Sequence, residues 1–348
     1  MAIMKRWQIV LTVAVLLAGI SFGSMETRAA DYKYEWKIAT LAPDGVGWAV
    51  YVKKVLLKLL SEKSDDELHI DVYWGGTMGD DEDYISKMRI GQLDGGGLSG
   101  AGVLMACPEM SVLTLPFLFN DYGEVDYIRS KMRGKFSQLC EKNGYKMLVW
   151  GDQDFDQIVS TKIEPRTPDD FKKIKAVNWI GPIEAAVYQK LGASPIPSNV
   201  PDVITNMRSG VCDMDIAPSI WWVGAQLYTI TKYINPVNIR YMPIMIVIKM
   251  ETWNSLPDKH KKAIDFEIVD NKREEEFNAF VRKTNKQCYD AMVKYGVKET
   301  ILTDAEKEKL KELTRPVWDE FVGKEYPKEA YDEILSLLAE YRAEKGVK

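Results

Sequence analysis

Histidine is almost missing from this chain: 348 residues hold two, His69 and His260, and neither falls in a recognisable catalytic pattern. There is no GxSxG, HExxH, P-loop or GxGxxG, and the run Gly95, Gly96, Gly97 lacks the spacing and the lysine of a phosphate loop. These absences leave no nucleophile-and-base pair, so no catalytic residue and no cofactor is expected. Basic residues are also in deficit, 46 against 51 acids for a net charge of −5, which excludes the basic stripe that nucleic acid demands. Cys107, Cys140, Cys212 and Cys288 lie far apart without CxxC geometry, so neither a zinc site nor a redox motif is predicted. Buried free thiols fit them at least as well as disulfides.

One apolar run does stand out. Lys5 and Arg6 precede a hydrophobic stretch from Trp7 to Phe22, and Thr27, Ala29 and Ala30 supply small residues for a cut. We read residues 1–29 as a cleaved secretory signal, which makes the expected location periplasmic. The run is too short for a convincing span.

The remaining chain, about 320 residues, suffices for two lobes of ordinary domain size. Glu35 to Thr40 reads as a first strand, followed by a helix with Trp48, Val52, Val55, Leu56, Leu59 and Leu60 on one face. The loop between them lies at the carboxyl end of a strand, where open α/β sheets bind ligands. Leu68 to Trp74 alternates as a second strand, Asp80 to Ile90 is a helix with acids in its first turn, and Asp94 to Leu98 is a glycine-rich third strand. Tyr122 to Lys142 is helical, and Tyr145 to Trp150 is a strand leading toward the second lobe. Arg240 to Lys249 is an apolar strand that brings the chain back. Two such crossings are what a hinge-bending molecule needs. From Pro257 the chain turns helical, with one long segment to about Tyr295, a Thr303-x-x-Glu306 capping box, and a last helix near Lys328 to Glu340.

The acids Asp152, Asp154 and Asp156 alternate along one face of an extended segment. They open like a calcium loop, but Gln157 stands where its glycine belongs and Ile163 where its bidentate glutamate belongs, so no metal is assigned. A solvated or ligand-facing loop is the expectation here.

The stretch from Glu164 to Pro218 organises the rest. It runs TPDDFKKIKAV, then KLGASPIP, then DVITNMRSGVCDMDIAP, and its strands alternate with short helices as in a parallel sheet. In register it resembles the solute receptors of TRAP transporters, the tripartite ATP-independent periplasmic transporters. Met78 to Asp94, and Pro108 and Glu109 through Leu115 to Phe119, match further signatures of that family.

The resemblance implies an α/β, two-lobed periplasmic-binding-protein fold of type II-like layout, each lobe a sheet flanked by helices, with a long helix spanning both. Lobe I is expected at 30–152 with about 242–280 returning to it, and lobe II at 153–241 with about 281–348 packed against it. In most members an arginine pairs with the substrate carboxylate, since a guanidinium clamps it with two charge-assisted bonds. Here that position is Val177, two residues before Trp179. Asp156 replaces a further arginine of sialic-acid-binding relatives, and Ala217 replaces their asparagine. Residues expected to face the cleft are Thr40, Asp81, Ser99, Gln153, Asp156, Val177, Trp179, Asn199, Ala217 and Trp222. Thr40, Ser99, Gln153 and Asn199 would position polar groups, Asp81 and Asp156 select charge, and the others supply apolar contact.

The implied function is an extracytoplasmic receptor that closes over a small non-carboxylate ligand, neutral or apolar first and cationic second. A carboxylate held by some other basic residue ranks third. The implied partners are the TRAP membrane permease subunits and, in one branch of the family, a helical-repeat periplasmic protein. Two other readings are kept: a sensory module with the same cleft, and a secreted hydrolase using Asp152, Asp154 and Asp156.

Overall fold

A computed structural model describes residues 32–347. The expected signal segment lies outside the described residues. Nine strands form one sheet: β1 (Tyr34–Thr40), β2 (Leu68–Tyr73), β3 (Gly95–Leu98), β4 (Tyr145–Ser160), β5 (Lys175–Asn178), β6 (Ser194–Pro197), β7 (Met214–Ala217), β8 (Tyr233–Lys249) and β9 (Lys298–Glu299). Their order is β2-β1-β3-β8-β4-β7-β5-β6, with β9 beside β8. Pairing is parallel within β2-β1-β3 and within β7-β5-β6, and antiparallel through β8 and β4 between them. The result is two α/β lobes, each a short parallel set flanked by helices, threaded by one long antiparallel pair.

That pair explains how two lobes share a sheet. β4 and β8 run 16 and 17 residues, far beyond an ordinary strand. Their register shifts at Met147/Val149, at Asp152/Asp154 and at Asp156/Ile158, and such bulges add bend and twist where the strands leave one lobe for the other. The segment expected as a loop at Asp152 to Asp156 is therefore the middle of β4, with Asp152 and Asp156 fully buried. Ion pairs and hydrogen bonds replace the solvent that a loop would have supplied.

The long helix Arg273–Tyr295 lies across this crossing. Twenty-three residues make about 35 Å of helix. Phe277 and Val281 near its start pack in the cluster of Trp36, Leu56 and Leu148, while Met292 near its end packs in that of Val177, Val203 and Leu227. The helix thus spans both lobes. The uninterrupted helical segment expected from Pro257 to Tyr295 is broken instead. Asp258–Asp265 runs into a π-helical turn at Phe266–Asp270, and Lys272 takes a left-handed backbone with φ 63° before the long helix starts. Glu274, Glu275 and Glu276 in the first turn suit the positive end of the new helix dipole. The Thr303–Glu306 capping box forms as expected.

β6 is the sheet's edge on the β5 side. The N–H of Ser194 donates to Ile174 O and that of Ser198 to Asn178 O, so even positions face inward and Pro195 and Pro197 face out. An edge is where a strand tolerates proline.

Candidate functional site

A cleft opens among the described residues, with about 1180 Å³ of space free of protein atoms when the open solvent at its mouth is counted. Its walls come from loop ends at the carboxyl ends of strands. Thr40 ends β1 and Leu41 and Ala42 follow it, Ser99 follows β3, Gln153 sits at the β4 bulge, Trp179 follows β5, and Pro218 and Trp221 follow β7. This is the position that open parallel sheets reserve for ligands.

Of the ten residues proposed from sequence, the structure brings Thr40, Ser99, Gln153 and Trp179 together on this wall. The other six lie elsewhere. Asp81 is 1% exposed and sits behind Ser99, accepting the Ser99 N–H at 3.1 Å, its hydroxyl at 3.0 Å and the Gly102 N–H at 3.2 Å. It fixes the turn that presents Ser99. Val177, Ala217 and Trp222 are buried in the cluster with Val203 and Leu227, and Asn199 is an exposed residue capping the helix Val200–Ser209. Asp156 lies one layer below the wall.

That layer is a buried charge cluster centred on Arg240, 6% exposed. Its Nε donates to Asp156 Oδ2 at 2.8 Å, Nη1 to Glu184 Oε1 at 2.6 Å and Nη2 to the Ile216 carbonyl at 2.8 Å. The guanidinium carbon stands 5.6 Å from the Trp179 ring centroid, a cation–π contact. Glu184 accepts the backbone N–H of Trp179 at 2.8 Å and of Ile180 at 3.1 Å. Arg240 and Glu184 thus hold Trp179 by its ring and its backbone. Burial pushes Asp156 up to about 7 against the pull of Arg240, and it raises Glu184 as well.

A third carboxyl joins these two. Asp215 on β7 lines the cleft, is 1% exposed, and neither of its oxygens has a partner. Burial, followed by the neighbouring Glu184 charge, pushes it well above the ordinary carboxylate range. It is the one ionisable side chain on the wall: among the described residues, no lysine, arginine or histidine lines the cleft. Sequence reasoning passed over Asp215 and Arg240, and also Trp48 and Trp74, which line the opposite wall.

The other two acids of the β4 cluster are tied up by neighbours and do not line the cleft. Asp152 pairs with Arg129 and Arg282 and accepts from the Tyr241 hydroxyl at 2.7 Å, while Asp154 accepts from the Tyr122 hydroxyl. All four cysteines are free.

Two α/β lobes joined by a crossing strand pair, with a cleft at the carboxyl ends of their strands, define the class of two-lobed binding proteins, and comparison with known proteins agrees. The family profile described as DctP, bacterial extracellular solute-binding protein, family 7, matches residues 39–325, and the chain belongs to that family. The 2,3-diketo-L-gulonate-binding periplasmic protein of Escherichia coli is 25% identical over 320 residues, covering 89% of this chain and 93% of the relative. A TRAP periplasmic solute-binding protein of Ralstonia eutropha, solved with (S)-2-acetolactate, superposes with a TM-score of 0.80 at 24% identity, covering 88% of this chain and 99% of the other. One from Haemophilus influenzae, solved with L-gulonate, also gives 0.80, at 21% identity and the same coverage. No helix among the described residues is long and apolar enough to cross a membrane.

Proposed function

We propose that this chain is a periplasmic receptor that closes over one small non-carboxylate molecule and delivers it to a TRAP membrane permease, without catalysis of its own. The observation carrying the ligand reading is the cleft's composition: a nearly apolar wall with tryptophans, one carboxyl group and no basic side chain. The relatives named above take sugar-acid or keto-acid anions. An anion entering this cleft would lose its hydration and meet no cation in exchange, which costs several kcal/mol. The one buried arginine nearby, Arg240, is already committed to Asp156 and Glu184.

The lobe boundary belongs to the same proposal: 30–152 and 242–280 for lobe I, 153–241 and 281–348 for lobe II. The register shift between Asp152 and Asp154 supports a hinge at that place. Ligand contacting both lobes would bind the closed state better than the open one and so drive closure.

The test is native mass spectrometry of protein purified from its own periplasm, followed by a thermal-shift screen of neutral, cationic and anionic solutes. Stabilisation by neutral or cationic compounds alone is expected through mass action. Stabilisation by simple carboxylates would overturn the ligand class, and no binding by any solute would overturn the receptor itself.

A further inference from the structure

The cleft does not stop at its polar rim. Its wall continues through Leu57 and Leu60, Leu148 and Val149, Ile268 and Phe277. Five of these, all but Leu57, are buried members of the cluster that packs the first lobe's helices on its sheet. One cavity therefore joins the ligand cleft to the interior of a lobe. Two helical segments border it, and each carries a π-helical turn at that border: Val52–Leu56, contributing Val52 and Leu56, and Phe266–Asp270, contributing Ile268. A π turn widens a helix and spoils close packing, and such turns gather at functional sites. A protein interior is otherwise close-packed, so apolar space continuous with the cleft is room for the apolar part of a ligand.

At the other end of the cavity lies Asp215, buried and without a hydrogen-bond partner. The groups that face it are Glu184 and Tyr188 on the helix Pro182–Leu191, Asp156 on β4, Arg240 on β8, and Cys212 before β7. Three carboxyls thus surround one guanidinium, and two of them use it. The third has no ion pair, and a cation that displaced its proton would supply one. Trp179 and Trp221 stand on the same wall, with aromatic faces that favour a cation further.

Resting on the receptor reading above, we infer that the ligand is a single-chain amphiphile. Its alkyl tail lies in the cavity between the sheet and the two π-bearing segments, and its ammonium head sits at Asp215. Tail length and head charge are separately selected, the first by apolar burial and the second by the unpartnered carboxyl.

The probes are dodecylammonium, butylammonium, dodecanol and dodecanoate, each below its critical micelle concentration. They are titrated into delipidated full-length mature protein by calorimetry and thermal shift. Dodecylammonium is expected to bind about tenfold or more tighter than butylammonium, because each added methylene is removed from water. At about pH 8 it should also bind about tenfold or more tighter than dodecanoate, because only the ammonium, as Asp215 releases its proton to solvent, gains an opposite charge. Asp215→Asn is expected to remove that head preference while leaving dodecanol affinity within about threefold. If Asp215→Asn does not fold, the head and tail series on the unaltered protein decides alone. Equal binding of dodecylammonium and dodecanoate would overturn the assigned head, and equal binding of the two ammonium ions would overturn the assigned tail. Tight binding of a compact polar solute with none of these four probes would overturn the amphiphile and leave the receptor standing. No ligand by these probes or by native mass spectrometry would overturn the receptor as well.

Discussion

Asn285 on the long helix holds Gln153 on the cleft wall. Its side-chain amide donates to the Gln153 carbonyl at 2.9 Å, and its side-chain oxygen accepts the N–H of Ile220 at 3.0 Å. Asn285 is 2% exposed, so one buried side chain ties β4 and the helix Ser219–Gly224 to the long helix. Asn285→Leu leaves two buried backbone groups without partners. We expect a loss of about 2–4 kcal/mol in urea unfolding. A loss below about 0.5 kcal/mol would mean water replaces the amide.

Asp152 stands at the β4 bulge between two arginines. Arg129 comes from the helix Tyr122–Lys142, Arg282 from the long helix, and the Tyr241 hydroxyl from β8. Asp152→Asn leaves both arginines with Asp126 as their remaining carboxylate, so the buried network loses one of its two anions at a cost of about 2–3 kcal/mol. The expected readout is a lowered melting temperature. Turnover is not the readout, because the carboxyl lines no cleft.

Gly100 sits under the cleft tryptophan. A Cβ there would lie 2.6 Å from Trp179 Cζ3, a distance that forces the indole to move. Gly100→Ala should weaken ligand binding by about tenfold, or ~1.4 kcal/mol, as Trp179 shifts away from Arg240. Isothermal titration with the ligand found by native mass spectrometry checks this, and unchanged affinity would remove Trp179 from the site.

Asp215 also leaves a signature in stability. Its carboxyl is raised in the folded protein, so between the ordinary carboxylate pKa, about 4, and the raised one, the folded state keeps a proton that the unfolded state has lost. The stabilising contribution is complete below that lower value and is lost as pH rises through the window, at up to about 1.4 kcal/mol per pH unit. Unfolding free energies measured from pH 4 to 8 should fall more steeply for the wild type than for Asp215→Asn. Parallel curves would show that Asp215 is ionised without ligand.

The architecture was legible because its signals are local. β1, the helix Tyr122–Lys142 and the Thr303 cap follow from alternation, length and capping chemistry, and the structure sets them within a residue of their expected places. The site was less legible because its chemistry depends on pairing across the sheet. Arg240 reads as the first residue of an apolar strand, but β8 begins seven residues earlier, at Tyr233, so the arginine falls mid-strand and inward. Asp215 sits in the run Val211 to Ile216, which reads as a strand opening from a turn at Ser209 and Gly210. Nothing local says that its partners are spoken for. The inner cavity was hidden for another reason: Val52, Leu56 and Leu60 show ordinary helical spacing, and a π turn leaves no mark on such a pattern.

The prolines of β6 act on how this protein meets others of its kind. Their ring nitrogens stand where an incoming strand would seek donors, while Ser194 and Ser198 spend theirs inward. A second chain laid along this edge would find carbonyls with no answering N–H, so cross-molecule sheet growth ends there. This margin of the lobe therefore offers no template on which copies of the protein could pair strand to strand.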